Sequence, residues 1–220
     1  MDLYHVLNRG VEGREIFLST GDYARFVHDL YEFNDAALAE NTRRKLSMTG
    51  LRNPSLGVGR VPIVKIHGWC LMKNHYHLLL SEEKEGGIST FLRKLNVGYA
   101  NYFNVKYGRS GYLFQGRTKK KHIDSDAYFL HILNYIHLNP LDYLRGNKDW
   151  RERKIDDSDT ALRYLEGYRW SSYLDYAGKK NFPSILTKNL FESALGDVAK
   201  TTKKYLRALD IHVLGDLALE

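Results

Sequence analysis

The chain has 220 residues, 43% of them hydrophobic, with 33 Lys and Arg against 26 Asp and Glu and a formal net charge of +7. That length suits one domain with elaborations, no run approaches the roughly 18 apolar residues of a membrane span, and the positive excess favours a polyanionic partner. Cys70 is the only cysteine, which excludes an intramolecular disulfide and a thiolate zinc cluster, and the opening MDLYHVLNRG lacks the basic and apolar regions of a signal peptide, so a cytoplasmic protein without a membrane partner is expected.

In chain order, LYHVLNRG reads as a short strand ending at Gly10. From Thr20 to about Glu40, Tyr23, Phe26, Val27, Leu30 and Tyr31 recur at helical spacing, with Thr20 and Asp22 as capping residues. Asn41 to Arg60 is polar, basic and glycine-containing, and predicts an irregular insertion. VPIVKIHGWCLM predicts a strand, KN a turn, and HYHLLLSEE its hairpin partner. A helix follows over GGISTFLRKLNVGYANYFNVKYG, with Phe91, Leu95, Tyr99, Tyr102 and Phe103 along one side. The stretch RSGYLFQGRTKKK, Arg109 to Lys121, holds five basic residues, no acid, and Tyr112 and Phe114 among them. It predicts a basic strand or ribbon, and interleaved aromatics are what stacking on single-stranded bases needs. SDAYFLHILNYIHLN predicts a helix capped by Ser125 and stopped before Pro140. Beyond Leu144 the chain turns polar and charged as far as Tyr168, then gives YRWSSYLDYAGKK and a mostly helical tail.

Strand, helix, strand, strand, helix, strand is the ferredoxin-like split arrangement. The fold class is therefore α+β: a βαββαβ antiparallel sheet with helices on one face, a further tyrosine-bearing helix, and a mostly helical extension. We divide the chain into a domain over 1–145 and an extension over 146–220, packed on the same domain.

Inside the second hairpin strand, MKNHYHLLL sets two histidines one residue apart. Alternation puts His75 and His77 on one face and Tyr76, Leu78 and Leu80 on the other. With helices on one side, the histidines belong to the open side. Two imidazoles can share one ion, but they need a third ligand. The helix after Ser125 offers one. Phe129, Ile132, Leu133 and Ile136 form its apolar stripe, which turns Tyr128, His131, Tyr135 and Asn139 onto a different face. Tyr135 and Asn139, four apart, present a phenol and a carboxamide to one point. Two imidazoles and a carboxamide can hold a divalent ion beside phosphate oxygens, and a phenol there can form a phosphotyrosine.

These residues resemble a known family. His75-Tyr76-His77 resembles the HUH motif, and YIHLNP, Tyr135 to Pro140, resembles the tyrosine helix of single-tyrosine HUH transposases, particularly the REP-associated tyrosine transposases. YHVLNRG, GYLFQGR and YRWSSY are similar to further motifs of that group, in the same order. The resemblance spans residues 1 to 40 and 61 to about 177; the 41–60 insertion and the tail after Gly178 lie outside it. It implies a metal-dependent enzyme, using Mg²⁺ or Mn²⁺, that binds a DNA hairpin with its flanking single strand. Such an enzyme cuts through a 5′-phosphotyrosine and leaves a free 3′-OH. By position, Tyr135 would be the nucleophile and His75, His77 and Asn139 the metal ligands. Arg9, Arg109, Arg117, Lys119, Lys120 and Lys121 are the candidate DNA contacts. The resemblance implies a monomer or a homodimer. A hairpin-binding regulator on the same fold, without chemistry, is the alternative. An RNA-binding ferredoxin-like domain would instead show exposed aromatics on the sheet.

Overall fold

The computed structural model describes residues 2–36, 60–145, 148–152, 155 and 157–207; the insertion at 41–59 and the last part of the tail lie outside them. Four strands form an antiparallel sheet: β1 (Leu3–Arg9), β2 (Val64–Met72), β3 (His75–Glu82) and β4 (Lys119–His122), in the order β2-β3-β1-β4. This is the expected ferredoxin-like pairing. Lys73 and Asn74 make the two-residue turn of the β2–β3 hairpin. Helices α1 (Thr20–Glu32) and α2 (Gly87–Lys106) cover one face, packing Phe26, Leu30, Phe91 and Tyr99 on Val6, Trp69, Tyr76 and Leu78.

The other face is covered too, which alters the expected picture of an open histidine face. Helix α3 (Asp126–Leu138) lies against it, and α4 (Ser158–Gly167), α5 (Tyr173–Tyr176), α6 (Asn189–Leu195) and α7 (Val198–Arg207) close over α3. Tyr128, Ile132, Tyr135 and Ile136 share one buried cluster with Leu79 and Cys70 of the sheet and with Trp150, Leu165, Phe191 and Leu206. Helix α3 therefore has no solvent-facing polar side where Tyr135 stands. Its sequence is apolar nearly all round, as a helix between two layers must be.

Two local devices set this geometry. In β2 the register slips between Ile66 and Gly68. Before the bulge Val64 and Ile66 face α1 and α2, and after it Trp69 and Leu71 do. Gly68 then faces α3, where an added Cβ would come 2.8 Å from a Leu133 methyl. The segment YRWSSY caps the β2 edge: Leu71 N donates to Trp170 O at 2.9 Å, Ser172 N donates to Trp69 O at 2.9 Å, and Tyr168 Oη donates to Leu71 O at 2.6 Å. Helix α1 ends at Glu32, short of the expected end near Glu40; Asp22 does serve in its cap, closing a capping box with Ser19, while Thr20 is the first helical residue and not the N-cap. No helix among the described residues is long and apolar enough to cross a membrane.

Candidate active site

Alternation along β3 does place His75 and His77 on one face, with Tyr76, Leu78 and Leu80 opposite. Both histidines are buried, at 6% and 0% exposure, and their ring centroids lie 4.9 Å apart. Strand β1 adds a third imidazole, which the motifs did not single out. His5 Nε2 lies 2.9 Å from His77 Nδ1, and the two rings stack at 5.2 Å. Tyr135 comes down from α3 onto this cluster, its ring 5.8 Å from His5 and 6.0 Å from His77, both edge-on. The structure thus brings together the phenol and the paired imidazoles from elements 60 residues apart in sequence.

The imidazoles are neutral. Burial, reinforced by the Arg9 and Arg151 guanidiniums, pushes His75 down to about 3, and burial with the neighbouring histidines drives His77 well below its ordinary value. Burial, with Lys121 nearby, takes His5 down to about 3. Neutral imidazole is the form that ligates a metal. The hydrogen bonds orient it as well. His75 Nδ1 donates to Asn74 Oδ1 at 2.7 Å, which leaves the lone pair on Nε2. In the tautomer where His77 Nδ1 donates to His5, its lone pair also sits on Nε2, an atom buried without a hydrogen-bond partner among the described residues. That buried acceptor fits a metal ion.

Asn139 sits differently. Directly after α3, it donates from Nδ2 to Tyr135 O at 2.8 Å and accepts on Oδ1 from Arg151 Nη2 at 2.7 Å. Both ends of its carboxamide are engaged, so it braces the tyrosine turn and holds Arg151. Among the described residues no group of three or more His, Cys, Asp or Glu is arranged to hold a metal ion.

Trp150 and Arg151, on a 3₁₀ turn over Lys148–Glu152, complete the enclosure. Trp150 is fully buried, its ring 5.7 Å from that of Tyr135, and its Nε1 donates to Asp142 Oδ1 at 2.8 Å. Tyr135 is left 1% exposed. These two residues escaped the sequence reading because they lie in a charged stretch with no motif. His5 did carry a signal: alternation from Leu3 puts it on the α3 side.

The basic residues divide. Arg9 lies directly across the β1–β3 ladder from His75. Lys121 and Lys119 pair with His5 and Leu7, and so share the histidine face. Lys121 Nζ lies over the Tyr128 ring at 4.9 Å. Lys120 points to the other face, over Tyr4 at 4.4 Å, and Arg117 is exposed. Arg109 is tied to the end of α2, donating to Asn104 Oδ1 at 3.0 Å.

Residues 60–139 match the family model described as transposase, IS200 like. A solved structure of a REP-associated tyrosine transposase bound to a REP hairpin aligns at 14% identity and a TM-score of 0.49, covering 86% of this chain and 87% of that one. No curated protein matches. The matched segment holds His75, His77, Tyr135 and Asn139, and over it the chain is transposase-like. His5, Arg9, Trp150 and Arg151 lie outside it.

Proposed function

We propose that this transposase-like chain is a metal-dependent single-stranded DNA strand transferase that recognises a hairpin with its flanking single strand and works through a phosphotyrosine. The observation carrying this reading is the Tyr135 ring on the neutral His5–His75–His77 cluster. Tyr135 Oη attacks the scissile phosphorus; the Oη–P bond forms and the P–O3′ bond breaks. The phenol proton passes to solvent or a base, and the departing 3′ oxygen gains one, leaving a 3′-OH and a 5′-phosphotyrosine. The displaced bond energy is retained, so the reverse attack rejoins strands without ATP.

His75 and His77 would hold Mg²⁺ or Mn²⁺, with Asn139 Oδ1 as an oxygen donor once Arg151 releases it. The ion, when bound, would polarise the phosphoryl oxygen. Asn74 and His5 keep both imidazoles aimed, and burial keeps them neutral. Arg9, Arg117, Lys119, Lys120 and Lys121 would grip the DNA backbone, while Arg109, held on α2, would contribute to the rim. The hairpin-binding regulator stands as a second reading because Tyr135 is almost wholly buried.

Labelled single-stranded DNA from the flanks of the protein's own gene, resolved on a denaturing gel, tests this. Expected is a protein-linked product that requires Mg²⁺ or Mn²⁺, is lost in EDTA, and disappears in Tyr135→Phe. Binding without any adduct would promote the regulator; an adduct persisting in Tyr135→Phe would remove Tyr135 as nucleophile.

A further inference from the structure

Arg151 has no part in the motifs or in the matched segment, yet its guanidinium reaches the centre of the site. It donates to Asp142 Oδ1 at 2.6 Å and to Asn139 Oδ1 at 2.7 Å, lies 4.4 Å over the Trp150 ring, and is 5.7 Å from the Tyr135 ring centroid. Arg9 approaches from the opposite strand, across from His75. Between them stand neutral imidazoles. Among the described residues, Arg9, Arg151 and Lys121 are the charged groups that depress the imidazoles, all three positive, while Asp142 accepts from Arg151. A planar guanidinium presents a fork of donors that suits a phosphate, and the Asp142 and Asn139 atoms it meets here are oxygens.

We propose that Arg151 is the residue that receives a non-bridging oxygen of the scissile phosphodiester, exchanging Asn139 Oδ1 for it as DNA enters. The proposal rests on the strand-transfer reading above and adds a residue to it. The exchange gives Asn139 back its oxygen as Arg151 takes the phosphate's, so one movement equips both sides of the reacting phosphorus. As charge builds on the phosphoryl oxygens, a donor fixed beside Tyr135 stabilises it without reorganising.

The test is single-turnover cleavage by Arg151→Ala and Arg151→Lys, with thermal melting and hairpin affinity measured alongside. Loss of one such donor costs about 100-fold or more in the chemical step. Expected is that loss in Arg151→Ala, with hairpin affinity within about threefold of wild type, and partial recovery when free guanidinium is added at concentrations that do not lower the melting temperature. A folded Arg151→Ala protein that cleaves within about threefold of wild type, or that guanidinium does not rescue, overturns the proposal. If Arg151→Ala does not fold, Arg151→Lys decides: it keeps the charge without the fork, and wild-type rates there overturn it. Should wild type cleave no DNA, the strand-transfer reading fails by itself. Arg151 is then judged by inorganic phosphate, which should raise the melting temperature of wild type over matched chloride by at least twice the rise seen in Arg151→Gln. Equal rises overturn the site.

Discussion

Asn74 shows how much of this site depends on a residue with no chemistry of its own. Its side-chain oxygen accepts from His75 Nδ1, and its amide nitrogen donates to Gly13 O at 3.3 Å, which fixes the carboxamide's orientation. Removing an outer partner of this kind costs about 10- to 100-fold in metal affinity. Asn74→Ala is therefore expected to raise the Mn²⁺ concentration needed for cleavage by that factor, whereas His75→Ala or His77→Ala abolishes cleavage and leaves hairpin binding largely intact. Loss of hairpin binding in a folded His77→Ala protein would contradict the separation of grip from chemistry. At this scale alternation made the histidine pair legible, and helical spacing grouped Tyr135 with Asn139. His5 was harder to see because its contact with His77 depends on strand register across a sequence separation of 72, which composition does not encode. Asn139 was legible in place but not in partner, since Arg151 reaches it from a stretch without periodicity.

At the scale of elements, the position of α3 rests on a missing side chain. Gly68 lets Leu133 approach β2, and His137 Nε2 lies 2.8 Å from Ser172 Oγ, tying the end of α3 to the edge cap. A larger residue at 68 must push α3 off the sheet, and Tyr135 moves with it. Gly68→Val is expected to destabilise by about 1–3 kcal/mol through overpacking and to lower cleavage far more than hairpin affinity. Equal losses in the two assays would show that α3 does not set the position of the phenol. The helix itself was readable from Ser125 and from the apolar stripe. Its surroundings were not: Tyr128 and Tyr135, placed on a polar side by the stripe, are buried because they face the sheet, Tyr128 beside Lys121 and Tyr135 against His5 and His77 with Trp150 next to it. A helix sandwiched between layers looks amphipathic only when one layer is imagined. The β2 bulge hid for a similar reason: Val64, Ile66, Trp69 and Leu71 fall on one face only across the slip, and Trp69 to Met72 are hydrophobic on both faces, so the change of phase leaves no mark in the pattern.

The whole molecule carries an acid liability. Burial holds His137 at about 3 and His67 at about 4, and His5 and His75 of the site at about 3. In the unfolded chain each returns to about 6.5. Below that pH the unfolded chain takes up protons that the folded one refuses, so the stability these residues provide is complete above pH 6.5 and falls as pH drops toward 3 to 4. Each such histidine contributes a slope of about 1.4 kcal/mol per pH unit in that window. In EDTA, the urea midpoint is expected to fall steeply from pH 7 to pH 5; a flat profile over that range would mean these histidines are not neutral in the fold. The ferredoxin-like order of elements was legible throughout, since each strand and helix follows from local pattern. The second layer was not, because nothing local in the extension says which face of the sheet it covers.

The two outer strands of the sheet are finished in different ways. The β2 edge is hydrogen-bonded by Trp170 and Ser172, whereas β4 ends the sheet with Lys119, Lys120 and Lys121 along it. A bare strand edge is a template for pairing with another chain, and lysines are one of the means by which proteins prevent it. The cations proposed to meet DNA would then also keep copies of the protein apart. Replacing Arg117, Lys119, Lys120 and Lys121 together by Ala should flatten the dependence of hairpin affinity on salt, and it should also make the purified protein aggregate on concentration. Replacing the three lysines by Arg should leave it monodisperse. Solubility and DNA affinity would thus be coupled through the three lysines of β4.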